Sequence, residues 1–168
     1  MVTLGQIYAQ LREHDAAIEN LNAALAFAGS ETMMQADSAT AASWEEQLEP
    51  LPLLRAQVLA DAGRFEEAVG TYRQMSAANP DDVELKRGLA AILMEMGSET
   101  EATSVYLEMM DMPGLDSETL FSIGVGFYQS NDYGNAARAF GNAATASVND
   151  RDAIEMWARS LHLDSAYT

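Results

Sequence analysis

The chain has 168 residues, 48 % of them apolar and none of them cysteine, with 26 acidic against 9 basic side chains and a formal net charge of −17. Without cysteine, disulfide scaffolds, thiol catalysis and zinc knuckles are excluded. An acidic field in which Lys86 is the only lysine repels phosphate backbones and anionic lipid, so neither nucleic acid nor a membrane surface is expected as partner. A basic protein or peptide is permitted, and hydration in a salty environment explains the acidity equally well. No run approaches the ~18 apolar residues of a membrane-spanning helix. Met1 to Gly5 lack the basic and apolar parts of a secretory signal, which leaves the compartment open: cytoplasmic or, for an excised fragment, periplasmic.

In chain order, Gly5, Tyr8, Ala17, Leu21 and Ala24 outline a first helical pair over about residues 1–28. Residues 29–45, rich in Ser, Thr and Ala with little apolar periodicity, are expected to be an inserted loop or an extended helix end. The next pair covers about residues 50–82. Leu54, Val58 and Leu59 give one apolar face, Asp61-Ala62-Gly63-Arg64 a turn, and Phe65, Ala68, Val69, Tyr72 and Met75 a second face at helical spacing. Asn79-Pro80-Asp81-Asp82 stops that helix, and its aspartates suit the cap of the next. Further pairs span about 83–116 and 117–150, and a lone helix runs over about 151–163. No strand signal is present, so the class is all-α.

The pairs repeat in step. Ala68, Ala102 and Ala136 recur at 34-residue intervals, and the same interval aligns Tyr72, Tyr106 and Phe140. It also aligns Ala56, Ala90, Gly124 and Ala158, and Leu59, Leu93, Phe127 and Leu161. Gly63 and Gly97 share a turn register with Asn131. A 34-residue helix–turn–helix unit with these residue types resembles the tetratricopeptide repeat family over nearly the whole chain.

That resemblance implies a right-handed α-solenoid, a single array over 1–168, in which a small residue lets two helices cross closely and an aromatic fills the gap to the next repeat. Gly5, Ala56, Ala90, Gly124 and Ala158 take the small-residue place, and Ala17, Ala68, Ala102 and Ala136 the early alanine of the second helix. Departures are Leu21 in place of the aromatic, a closing proline met only by Pro80, and no tryptophan at the usual first-helix place in the second to fourth repeats. Both ends look cut, so the last helix is either a solvating cap or part of a longer array in a larger protein.

Enzyme chemistry, cofactors and metals are not expected. His14 and His162 are the only histidines, without metal-ligand spacing; His14 reads as packing at a turn. Asn149-Asp150-Arg151-Asp152 lacks a calcium loop's glycine and reads as a capped helix start. Gly124-Val125-Gly126 lies within a helix and is no phosphate loop, and Met75 and Met109 read as core.

The family's role implies protein–protein interaction through a concave face lined by the first helices. In this register the inward positions are Val2, Gln6 and Ala9; Leu53, Gln57 and Ala60; Arg87, Ala91 and Met94; Phe121, Val125 and Tyr128; and Glu155, Arg159 and His162. The expected partner-binding groove is therefore Leu53, Gln57, Arg87, Met94, Phe121, Val125, Tyr128 and Arg159. The Lys and Asn cluster with which some family members bind chaperone C-termini is absent. A peptide or protein segment with apolar anchors, held in a scaffold or assembly role, is the expectation. Self-association into a homo-oligomer is the alternative.

Overall fold

The computed structural model describes residues 13–28, 30–147 and 150–167, and every secondary-structure element among them is helical. Gly5, Tyr8 and the inward positions Val2, Gln6 and Ala9 lie outside the described residues. The chain divides into two compact units, Met1–Ala78 and Asn79–Thr168.

In the first unit the helices are α1 (His14–Ala28), α2 (Glu31–Met34), α3 (Ser38–Leu48), α4 (Leu51–Asp61) and α5 (Phe65–Ala78). Ala17 and Leu21 on α1, Leu51, Ala56 and Leu59 on α4, and Ala68 on α5 are fully buried. Helix α4 packs against both α1 and α5. Arg55 ties the three together, its Nε donating to Asn22 Oδ1 at 2.6 Å and its Nη1 to Thr71 Oγ1 at 3.0 Å.

The inserted segment is helical where a loop or a longer helix end was expected. Asp37 starts α3, its Oδ1 accepting from the backbone N–H of Ala39 at 3.1 Å and of Thr40 at 3.0 Å. Yet α3 buries no residue of its own, and an edge-on ring contact at 5.1 Å between Trp44 and Phe27 of α1 attaches it. A helix that buries almost nothing needs no apolar stripe, which is why its sequence carries no period.

The second unit holds α6 (Val83–Glu95), α7 (Glu99–Met110), α8 (Ser117–Gln129), α9 (Tyr133–Ala146) and α10 (Arg151–Tyr167). Aspartates start three of these helices by accepting a backbone N–H three residues on: Asp82 from Leu85, Asp116 from Thr119 and Asp132 from Asn135. Asp150 does the same for Ala153 at α10, the capped start read from the sequence.

One turn geometry recurs. Gly63, Gly97 and Asn131 have φ of +74°, +79° and +59°. Just beyond each, a backbone N–H reaches five residues back, from Arg64 to Leu59, Ser98 to Leu93 and Asp132 to Phe127, at 2.8, 2.8 and 2.9 Å. This left-handed closure satisfies orphan carbonyls at the helix end, and it favours Gly or Asn.

The 34-step classes fall into like surroundings in both units. Ala68, Ala102 and Ala136 are fully buried, and Tyr72, Tyr106 and Phe140 are 4 %, 6 % and 0 % exposed. Burial pushes the phenols of Tyr72 and Tyr106 above their ordinary pKa. Ala56, Ala90 and Gly124 are buried, as are Leu59, Leu93 and Phe127. Met109 is core and Met75 only half-buried.

The register fails at α10, where Ala158 and Leu161 were expected to be buried. Ala158 is exposed and Leu161 is 49 % exposed, while Ala153 and Ser160 are fully buried. The face that packs on α9 is filled, and no helix among the described residues covers the other.

Close approach is tightest on α8. A Cβ on Gly124 would lie 2.7 Å from the Phe140 ring of α9, and one on Gly126 would lie 2.3 Å from the Tyr106 ring of α7. Tyr106 also packs on Phe127 of α8 at 5.6 Å, so a shift of its ring disturbs a second core contact. Gly126→Ala is therefore expected to destabilise the fold by about 1–3 kcal/mol. Gly70→Ala, on an exposed stretch of α5 with nothing within 4 Å of the added carbon, is expected to stabilise by about 0.5–1 kcal/mol. Urea unfolding followed by far-ultraviolet circular dichroism measures both.

Candidate partner-binding surface

Helix α8 is apolar on two sides. Leu120, Ile123, Gly124 and Phe127 face its buried side. Phe121, Val125 and Tyr128, spaced four and three apart, form a second stripe that is only half-buried. Two of these side chains lean on α9, Phe121 on Phe140 at 5.2 Å and Tyr128 on Tyr133 at 5.4 Å, both edge-on. Phe121 also packs at the edge of the cluster of Leu120, Ala143 and Ala153. It belongs partly to the core, and a contact role can use only its outer edge.

From α6, Met94 is half-buried, and its sulfur accepts from Ser130 Oγ at 3.3 Å, which joins the C-terminal ends of α6 and α8. Arg87 is exposed and paired with Glu84 one turn earlier. Lys86 reaches from α6 to Glu108 of α7 at 2.9 Å. Ala91 is exposed on α6, as are Glu155, Arg159 and His162 on α10. In the first unit, α4 presents Leu53 and Ala60 half-buried and Gln57 exposed. His14 is half-buried at the start of α1.

Sequence reasoning missed an open cavity of about 310 Å³ beside Phe121, lined also by Ser117, Glu118, Ser147, Asp150 and Asp152. Ser117 Oγ donates to the carbonyl of Ala143 at 3.0 Å, which fixes the start of α8 against the end of α9. The cavity draws on three helix ends, so no single window of sequence displays it. Also missed were Ile154 and Trp157, 47 % and 39 % exposed on α10; the 34-step equivalents Leu120 and Ile123 pointed to burial. Among the described residues no group of three or more metal-ligating side chains converges, and no helix is long and apolar enough to cross a membrane.

The tetratricopeptide repeat profile matches residues 59–110, and a second profile of the same repeat matches residues 1–30. The chain belongs to the tetratricopeptide repeat family. Its fold is shared with the solved structure of MamA MSR-1 C2, at a TM-score of 0.53 and 12 % identity, covering 98 % of this chain and 94 % of that one. MamA 41-end from Desulfovibrio magneticus RS-1 gives 0.50 and 13 %, with coverages of 98 % and 96 %. A tetratricopeptide repeat protein from Parabacteroides merdae gives 0.50 and 15 %, with 95 % and 69 %. No curated protein matches the chain. The fold class is thus all-α, of the repeat-solenoid kind, and the repeats make the chain a protein–protein interaction or scaffold module of a generally non-catalytic family.

Asp116, which caps α8, is a charge-sensitive support of that helix. The backbone N–H and hydroxyl of Thr119, with a smaller contribution from the positive charge of Arg87, hold the Asp116 carboxyl below its ordinary pKa. A carboxylate whose native pKa is depressed stabilises the fold above its unfolded pKa, and that contribution fades as pH falls through the native value. Asp116→Ala is expected to lower the urea midpoint at neutral pH. The gap to the unsubstituted chain should close progressively in acid, as read by unfolding curves at decreasing pH.

Proposed function

We propose that the chain is a non-catalytic adaptor that holds a peptide or protein segment against the first-helix faces of its repeats. The observation that carries this reading is the second apolar stripe of α8, where Phe121, Val125 and Tyr128 stay half-exposed although the opposite side of the helix already fills the core. A helix apolar on both sides suits a place between two layers, and among the described residues of this unit only one is present. Met94 extends the apolar surface from α6, and polarizable methionine adapts to varied ligands. Arg87 and Arg159 supply cationic contacts in the second unit; in the first unit, taken by itself, Leu53 and Gln57 stand at the corresponding first-helix positions of α4.

The cavity beside Phe121 favours a segment with at least one basic side chain. Its aromatic wall suits an alkyl stem, and Glu118, Asp150 and Asp152 suit a cationic tip. The net charge of −17 speeds encounter with such a partner at low salt.

Val125→Glu places a charge in the middle of the stripe without touching the buried side of α8. Proteins recovered from the source lysate by the unsubstituted chain are expected to fall at least about tenfold with this variant, at unchanged helical content. Recovery insensitive to the substitution, confined to basic proteins and abolished by salt, would move recognition to the acidic surface and sink the reading. A solution mass that rises with concentration and returns to the monomer in Val125→Glu would assign the wall to a second copy of the chain.

A further inference from the structure

Ala17 and Ala68 hold the same place in successive repeats, yet they stand 51 residues apart where one repeat takes 34, which leaves 17 residues surplus to the array. The packing of the first unit ignores that surplus. Helix α4 lies directly on α1, with Ala17, Leu21 and Ala24 buried on one and Leu51, Ala56 and Leu59 on the other. Arg55 still reaches Asn22 across the pair. The extra chain emerges beside this seat as α2 and α3, over residues 31–48.

Little holds α3 in place. None of its residues is buried, and only Thr40, Ala41, Trp44 and Leu48 are even half-buried. Among the described residues, the side-chain hydrogen bonds of residues 30–48 stay inside the segment. Ser30 Oγ accepts from the Met33 N–H, Asp37 from Ala39 and Thr40, and Gln47 donates to the carbonyl of Ser43. The tie to α1 is the edge-on contact of Trp44 with Phe27. Two rings meeting at one edge are a weak tie beside the buried seat of α4. A helix of 11 residues is also too short to persist by itself in water, so losing the tie means losing the helix.

We propose that residues 31–48 form a strap that lets go of α1 and unwinds as one unit while α1, α4 and α5 stay packed, with Trp44 as its latch. Closed, the strap is helical and Trp44 covers the edge of Phe27. Open, it is an unstructured connection and both rings face water. Opening breaks none of the contacts between α1, α4 and α5, because their seat is complete without the strap. Its free energy is therefore set by the latch and by α3 alone, well below that of unfolding the unit. Anything that binds the freed ring of Trp44 or Phe27 shifts the strap toward its open state.

Amide hydrogen exchange of the full chain, resolved by mass spectrometry of its peptides, reads the strap directly. Amides of α3 are expected to exchange at least about 100-fold faster than the slowest amides of α1 and α4, yet measurably slower than in the urea-unfolded chain. Trp44→Ala should bring α3 to the unfolded rate and leave α1, α4 and α5 within about twofold of the parent. Trp44→Phe, which keeps a ring on Phe27, should restore part of the protection. Protection of α3 equal to that of α4 overturns the inference. So does a parent chain in which α3 already exchanges at the unfolded rate, since no closed state then exists. If Trp44→Ala speeds exchange in α1 and α4 by the same factor as in α3, the segment is part of the seat and not a strap. If it leaves α3 protected, Trp44 is not the latch.

Discussion

The close crossing of neighbouring helices at a residue with little or no side chain is the constraint from which the rest follows. At α8 two aromatic rings, Phe140 from one side and Tyr106 from the other, occupy the space where side-chain carbons would otherwise stand. Each ring needs a flat backbone seat, so the small residue and the aromatic must keep a fixed distance along the chain. That requirement sets the repeat length. The turns obey the same demand, because a helix that must return at a set angle needs a left-handed residue at its end, met by Gly63, Gly97 and Asn131. Aspartate caps then fix where α6, α8 and α9 start, so seat and ring arrive opposite one another.

Those local requirements are legible in the sequence because each is met by a residue type at a fixed interval. The buried alanines, aromatics and turn residues could be assigned before any coordinate. Two features resisted. Helix α3 has no buried face, so its composition looks like a loop; a single ring pair, Phe27 with Trp44, attaches it. Helix α10 misled in the other direction, since a periodic pattern announces what a position can pack against and not whether the neighbour is there. Ala158 and Leu161 carry the pattern and stand exposed.

The candidate surface was legible only to the level of which helix face carries it. The family resemblance, with its register, placed Phe121, Val125 and Tyr128 on one stripe of α8. It could not show that Phe121 and Tyr128 also lean on rings from α9, nor that a cavity opens beside Phe121 where three helix ends meet. Contacts of that kind depend on side-chain directions across elements far apart in sequence. The two exposed apolar strips of the second unit differ in origin: α8 already meets a second helix on either side, and its stripe lies beside those contacts, whereas on α10 only one such neighbour is present among the described residues.

Lys86 bears on how the protein can be chemically addressed. Its ammonium is the only lysine amine in the sequence; the side chain is 15 % exposed and bridges to Glu108 of the adjoining helix. An acylating reagent or an enzyme that conjugates lysine must first break that ion pair and draw the stem out of its packing. Side-chain amine modification therefore reports loosening between α6 and α7, so the residue serves as a built-in gauge of whether that hairpin is closed.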